Sequence, residues 1–217
     1  MEIELKYKID NVEQFERILA NEWITSITEN AKPEVVQMKA AYFDTEDLTL
    51  VKHNIAFRIR SEGERTIATL KWRDIDDGIS GLYIRSEINI PVTDPINYSN
   101  PDPNVFIESA EGKDLIEIID KKPLVNIFDM LFIRRRTRID YEQSIIELSF
   151  DEGNIIVGSE SIPLCELELE IFSGNKEDLL AIGRKIAREY KLKTELKTKF
   201  ARGVELLKEQ RGKGNVF

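Results

Sequence analysis

Histidine and cysteine are almost missing: the 217 residues contain one of each, His53 and Cys165. A lone cysteine excludes an intrachain disulfide and accords with a reducing, cytoplasmic setting. With so few of either, no His/Cys metal cluster and no Ser-His-Asp constellation can be built, and there is no Gly-rich phosphate loop. His53 falls at a predicted turn and Cys165 on the apolar side of its strand, so both read as structural residues. Also absent are a long apolar run that could span a bilayer, an internal repeat and a low-complexity segment. The first residues do not have the basic-then-apolar layout of a secretory signal. Basic charge is short too, with 31 Lys and Arg against 40 Asp and Glu and a net charge of −9. That balance argues against nucleic-acid binding through an exposed basic surface, though a concealed basic interior stays open.

What the chain does have is alternation. In Met1–Asp10 (MEIELKYKID), Glu2, Glu4, Lys6 and Lys8 alternate with Ile3, Leu5, Tyr7 and Ile9. In an extended strand this puts the charges on one face and the apolar groups on the other. The pattern returns with charges sorted by sign. Arg58 and Arg60 form one row, Thr69, Lys71 and Arg73 another, and Arg85 with Glu87 a third. Further on come Arg134, Arg136 and Arg138, then Glu147, Ser149 and Asp151, and finally Glu166, Glu168 and Glu170. Neighbours on one strand face lie about 6.8 Å apart. Two like charges there repel by roughly 0.6 kcal/mol in water and roughly 2.4 kcal/mol at an effective dielectric of 20. A solvated face carries this cheaply, so a plain β-rich domain with its charges in water is one reading. An enclosed face carries it only with a compensating ligand: cations for the carboxylates, a polyanion for the arginines. A closed barrel with a charged lumen and a helix-covered apolar exterior meets that need, and points to a metal–polyphosphate site.

Between the strands, Asn11 with Gln14 three residues on predicts a capped helix carrying Val12, Phe15, Ile18 and Leu19. Strands are predicted over about 35–44, 55–60, 65–73 and 82–90, with a short helix or turn over 45–52 and a turn-rich loop over 74–81. The connector 91–103 holds four of the seven prolines and leads into a helical stretch over about 104–120, with strands resuming at Phe128. Helices over 176–190 and 194–209 close the chain.

Glu2-x-Glu4-x-Lys6 resembles the ExExK signature of the CYTH superfamily, the triphosphate tunnel metalloenzymes. Tyr42-Phe43-Asp44-Thr45, Ala56-Phe57-Arg58-Ile59-Arg60, Thr69-Leu70-Lys71-Trp72 and Glu166-Leu167-Glu168-Leu169-Glu170 follow in the family's order. Thr198-Lys199-Phe200-Ala201-Arg202-Gly203 resembles its Ser-Lys-x-x-Arg-Gly helix, with Thr for the commoner Ser. The run from Cys165 to Gly174 is most similar to the bacterial inorganic triphosphatase branch. The resemblance covers residues 2 to about 208 and implies an α+β fold: a closed eight-stranded antiparallel tunnel, one domain over 1–208, with 209–217 as a flexible tail. It implies Mg²⁺ or Mn²⁺ held by Glu2, Glu4, Glu168 and Glu170 with Glu166 beside them, hard cations suited by oxygen ligands. Phosphate oxygens would be held by Lys6, Lys8, Arg58, Arg60, Lys71, Arg85, Arg134 and Arg136, and Lys199 would plug one end and touch substrate. Glu4, Glu168, Glu170 and Lys199 are the implied catalytic set. The implied reaction is metal-assisted hydrolysis of inorganic triphosphate, or of another triphosphate-bearing small molecule, with no membrane or nucleic-acid partner. Thiamine or nucleoside triphosphatase, class IV adenylyl cyclase and a non-catalytic polyphosphate-binding module share the scaffold.

Overall fold

The alternating amino terminus forms strand β1, Glu2–Lys8, which both begins and closes the sheet. The computed structural model describes residues 1–30, 32–75, 77–92 and 101–214, with residues 73, 74, 213 and 214 described by backbone alone. Helices α1 (Val12–Leu19) and α2 (Glu22–Ile27) come next, then β2 (Glu34–Thr45), the short α3 (Thr49–Lys52), β3 (Ala56–Glu62), β4 (Arg65–Ile75) and β5 (Leu82–Pro91). After the connector come a 3₁₀ turn (Pro103–Phe106), α4 (Ala110–Ile119), β6 (Leu124–Tyr141), β7 (Ser144–Val157) and β8 (Glu160–Ser173). The chain ends in α5 (Lys176–Tyr190), the two-residue β9 (Lys193–Thr194) and α6 (Lys199–Gly214).

The sheet runs β5-β4-β3-β2-β6-β7-β8-β1, and β5 pairs back onto β1. All the pairings are antiparallel, with Glu2 opposite Arg85 at the closing seam and Glu4 opposite Glu170 on the other side of β1. Eight strands therefore close into a barrel, which leaves no free edge, and β9 is an extra strand on β1.

Alternation sorts the side chains into two outer cores and one inner core. Leu5, Tyr7, Leu167 and Leu169 point outward beneath α1 and α5, where Phe15 stacks on Phe150 with ring centroids 5.4 Å apart. Phe57, Leu70 and Phe43 point outward beneath α4, against Phe106 and Leu115. Tyr42, Met130 and Phe132 point inward at one end of the barrel, where Val204 and Leu207 of α6 cover them. Helix α6 thus plugs that end. No described helix is long and apolar enough to cross a membrane.

Most predicted elements appear within a residue or two, and the departures have local causes. Asn11 caps α1 as expected, accepting from the Gln14 amide at 3.0 Å, while the Gln14 side chain accepts from the Asp10 amide. Helix α2 carries only a short stripe, Trp23, Ile24 and Ile27, which packs on the core, and it starts where the Asn21 side chain accepts from the Trp23 and Ile24 amides at 3.0 and 3.4 Å. The helical stretch after the prolines is broken in two, because Ser109 caps a new helix by accepting from Gly112. Strand β4 runs to Ile75 through a bulge between Trp72 and Asp74, and β6 starts at Leu124 rather than Phe128. The last helix begins at Lys199 instead of 194, because Thr194 pairs with Tyr7 and the Glu195 amide bonds to the Lys6 carbonyl at 2.9 Å. It continues to Gly214, and the remainder of the expected tail, 215–217, lies outside the described residues.

Candidate active site

Seven cations and four carboxylates line a cavity inside the barrel, in a chain whose net charge is −9. The cations are Lys6, Arg58, Arg60, Lys71, Arg85, Arg134 and Lys199, and the carboxylates Glu2, Glu4, Glu168 and Glu170. Free space is about 70 Å³, room for a few waters, because the charged side chains fill the tunnel by gripping one another.

The grip divides the acids into two groups. In the first, Asp151, Glu166 and Glu168 offer ligand atoms within 4.8 Å of one another. The Lys199 ammonium reaches all three, at 2.9 Å from Asp151 and 2.8 Å from Glu168, with Glu166 also in contact. Arg134 adds a bidentate clamp on Asp151, 2.7 Å on each arm, and a 2.6 Å contact to Glu168. Arg202 approaches Glu166 at 3.3 Å, and Lys6 bonds Glu168. At Glu168 burial is outweighed by Lys199, Lys6 and Arg134, which hold the carboxyl well below its ordinary range. At Asp151 burial is likewise outweighed, by Arg134 and Lys199.

The second group, Glu2, Glu4 and Glu170, has fewer partners. Lys71 holds Glu2 at 2.6 Å and Glu87 at 3.0 Å, and keeps Glu2 below its ordinary range against the cost of burial. Lys6 lies 2.9 Å from Glu4. Glu170 makes no ion pair among the described residues. Burial pushes Glu4 up to about 7, with the Glu2 and Glu168 carboxylates adding to the rise. Burial pushes Glu170 up to about 8, with Glu2 and Glu4 adding. Glu4 and Glu170 resist ionisation because they are short of positive charge, and all-oxygen donors are the chemistry a hard divalent cation takes, although among the described residues only Asp151, Glu166 and Glu168 bring three ligand atoms within 4.8 Å of one another. The first set already has its cation in Lys199.

The basic residues also differ among themselves. Arg58 reaches Thr69 Oγ1 at 3.4 Å and sits over the Tyr42 ring, 6.0 Å from its centroid. The Nε atoms of Arg58 and Arg60 are buried without a hydrogen-bond partner. Burial, with Arg58 and Arg134 nearby, pulls Arg60 down to about 10. Both arginines line the cavity, and their planar guanidinium groups are suited to an anion there. Three predicted residues lie apart from the cavity. Glu166 is wholly buried behind Lys199. Arg136 is tied at the far mouth to Glu34 at 2.8 Å and Glu62 at 2.5 Å. The Lys8 side chain is 60% exposed, near Glu195 at 3.9 Å.

Several participants escaped the sequence reading. Glu62 continues the Arg58–Arg60 row two residues on, so parity alone would have included it. Arg202 lies inside the Thr198–Gly203 motif, but nothing in the letters says that it meets Glu166. Asp44, in the Tyr-Phe-Asp-Thr motif, proves structural: its carboxylate accepts from the Thr45, Leu50 and Val51 amides at 2.7–2.9 Å and caps α3.

A curated relative, the inorganic triphosphatase of Haemophilus influenzae, is 33% identical over 138 residues, 64% of this chain. The chain spans 37% of that relative's length. A candidate adenylyl cyclase from Hippeastrum, described as having a dominant triphosphatase activity, superposes with a TM-score of 0.65 at 18% identity, covering 94% of this chain and 96% of the other. A candidate adenylate cyclase from Bacillus halodurans gives a TM-score of 0.58 at 21% identity over 93% and 96%. Both share the fold. The model of the CYTH domain matches residues 1–204, which takes in every strand of the barrel and the start of its plug, and the chain belongs to the CYTH family.

Proposed function

We propose that this chain is a triphosphatase dependent on Mg²⁺ or Mn²⁺, which hydrolyses inorganic triphosphate to pyrophosphate and phosphate inside a single tunnel domain. The observation that carries the reading is the convergence of Lys6, Arg58, Arg60, Lys71, Arg85, Arg134 and Lys199 on one enclosed cavity beside Glu2, Glu4, Glu168 and Glu170, with unpartnered Nε atoms on Arg58 and Arg60. Such a lumen recognises bare polyanionic charge. The lone cysteine accords with a cytoplasmic setting.

In this mechanism Arg58, Arg60 and Arg134 bind phosphoryl oxygens and stabilise the charge that develops on the leaving pyrophosphate. Lys6, Lys71, Arg85 and Lys199 add point and fork donors around the same space. Glu2, Glu4 and Glu170, with Glu168 beside them, would hold the divalent ion. When bound, that ion supplies Lewis-acid polarisation of phosphoryl oxygens and screens them from the carboxylates. A glutamate of the Glu4/Glu170 pair orients the attacking water and accepts its proton as the bond to pyrophosphate breaks. No covalent intermediate is required.

A second reading is favoured by one feature. A cavity of about 750 Å³ lies between α6 and the β4–β5 strands, lined by Leu82, Tyr83, Ile84 and Phe200, and sharing Lys71 and Arg85 with the tunnel. It could seat the organic group of thiamine or nucleoside triphosphate. Phosphate release from tripolyphosphate, ATP and thiamine triphosphate, each with Mg²⁺ or Mn²⁺, separates the two readings. Fast turnover of tripolyphosphate, lost in Glu4→Gln, is expected. Preference for an organic triphosphate favours the second reading, cyclic product from ATP a cyclase, and binding without turnover a non-catalytic module.

A further inference from the structure

The lumen row of β3 reads Arg58, Arg60, Glu62, so a carboxylate ends the arginine row at the mouth opposite the plug. Glu62 is shared. One oxygen lies 2.5 Å from Arg136 Nη1 and the other 3.6 Å from Arg60 Nη2. Arg136 has further carboxylates in Glu34 at 2.8 Å and Glu147 at 3.7 Å, whereas Glu62 is the only described carboxylate within 4 Å of the Arg60 guanidinium. Across the β2–β3 pair, Arg60 faces Ala40 and Glu62 faces Met38, neither of which offers a charge. Glu62 faces Arg65 across the β3–β4 pair. The Arg60 guanidinium borders the tunnel cavity, and its Nε is still unpartnered.

We propose that Glu62 is a placeholder for a phosphoryl group: its carboxylate occupies Arg60 while the tunnel is empty and gives that arginine up to the substrate. The proposal rests on the triphosphate reading above and adds a specificity-determining residue to it. Glu62 is already bonded to Arg136 at 2.5 Å through its other oxygen, so it gives up the looser 3.6 Å contact with Arg60 without becoming an unpaired charge. A phosphoryl group arriving at Arg60 must outcompete a carboxylate and then tolerate it nearby. A weakly charged anion gains too little to do so; a polyphosphate terminus, with its higher charge density, succeeds. Glu62 thereby lowers affinity for every anion and sharpens the choice among them.

The test is Glu62→Gln, which keeps shape and a hydrogen-bond acceptor for Arg136 but removes the charge. The KM for tripolyphosphate should fall about fivefold with kcat retained, the size expected for losing one partly exposed charge pair. Inhibition by inorganic phosphate should strengthen alongside it. Glu34→Gln, which touches Arg136 on its outer side only, should leave KM as it was. An unchanged or higher KM in a Glu62→Gln protein that melts like the wild type overturns the proposal. If that variant does not fold, Glu62→Asp serves, since the shorter side chain retreats from Arg60 and should lower KM in the same direction; an unchanged value counts against the proposal. Calorimetric titration with tripolyphosphate in the presence of Mg²⁺, set beside phosphate release under the same conditions, separates this from the reading beneath it. Wild-type binding without turnover removes the hydrolytic reading, while tighter binding by Glu62→Gln still supports the placeholder. No binding by the wild type overturns both.

Discussion

Replacing Glu170 by Gln should stabilise the metal-free protein at alkaline pH and destabilise it nowhere above pH 5. The carboxyl is pushed up to about 8 from an ordinary 4.5 by burial and by Glu2 and Glu4. A raised acid pKa means that the folded state binds the proton more tightly than the unfolded state does. Its contribution is therefore fully present below 4.5 and is lost progressively as pH rises to about 8. The full loss corresponds to about 5 kcal/mol, of which about 3 kcal/mol is gone by pH 7. Side-chain relaxation and water entry reduce this, so a gain of about 2 kcal/mol for Glu170→Gln at pH 8 is the working figure. Urea unfolding in EDTA at pH 5 and pH 8 measures it, with wild type and variant within about 1 kcal/mol of each other at pH 5, where the folded-state carboxyl is still neutral. Added Mg²⁺ should reverse the order at pH 8: a ligand at a hundred times its Kd stabilises the folded wild type by about 2.7 kcal/mol, and the variant lacks one of its donors. A difference between the two proteins that stays constant from pH 5 to pH 8 would refute the account of Glu170 as a carboxylate short of positive charge.

Two further outcomes follow from packing and pairing. Asp151→Asn leaves Arg134 and Lys199 facing a neutral amide in a wholly buried site, and should cost about 3–5 kcal/mol in urea unfolding. Gly112→Ala would place a Cβ 1.8 Å from the Phe106 carbonyl oxygen; despite alanine's better helix propensity, of about 1 kcal/mol, a net loss of about 2 kcal/mol is expected by thermal melting.

Strand alternation made the barrel legible, because a period of two fixes which side chains share a face whatever their partners are. Rows such as Glu2–Glu4–Lys6 and Glu166–Glu168–Glu170 could be assigned to the lumen before any pairing was known. Partner choice was not legible. Nothing in the letters says that Lys199 would fill the Asp151–Glu166–Glu168 cluster, since that depends on where α6 enters, and β9 delays its start by five residues relative to the sequence reading. Lys8 shows the limit of parity: it shares the face of Lys6, yet at the strand's end its long stem carries the ammonium into water. Helix α2 was hidden for the opposite reason, because Trp23, Ile24, Thr25 and Ile27 favour strands, and the Asn21 cap together with the packing of Trp23, Ile24 and Ile27 on the core decides otherwise.

The pairing inside the tunnel also explains why acids and bases share one enclosed face. A lumen holding only arginines would carry an uncompensated desolvation cost whenever it was empty, and one holding only glutamates the same cost with the sign reversed. Placed together they neutralise one another: Lys71 on Glu2, Lys6 on Glu4 and Glu168, Lys199 and Arg134 on Asp151. A triphosphate arriving with a divalent cation then offers an exchange in which no charge is stranded, as ammonium and guanidinium groups turn to phosphate while carboxylates turn to the cation. Either component alone would break pairs and leave half the lumen unpartnered. Affinity for polyphosphate and for metal should therefore be mutually dependent, a coupling that comes from the lumen's own ion pairs and needs no change in the surrounding barrel.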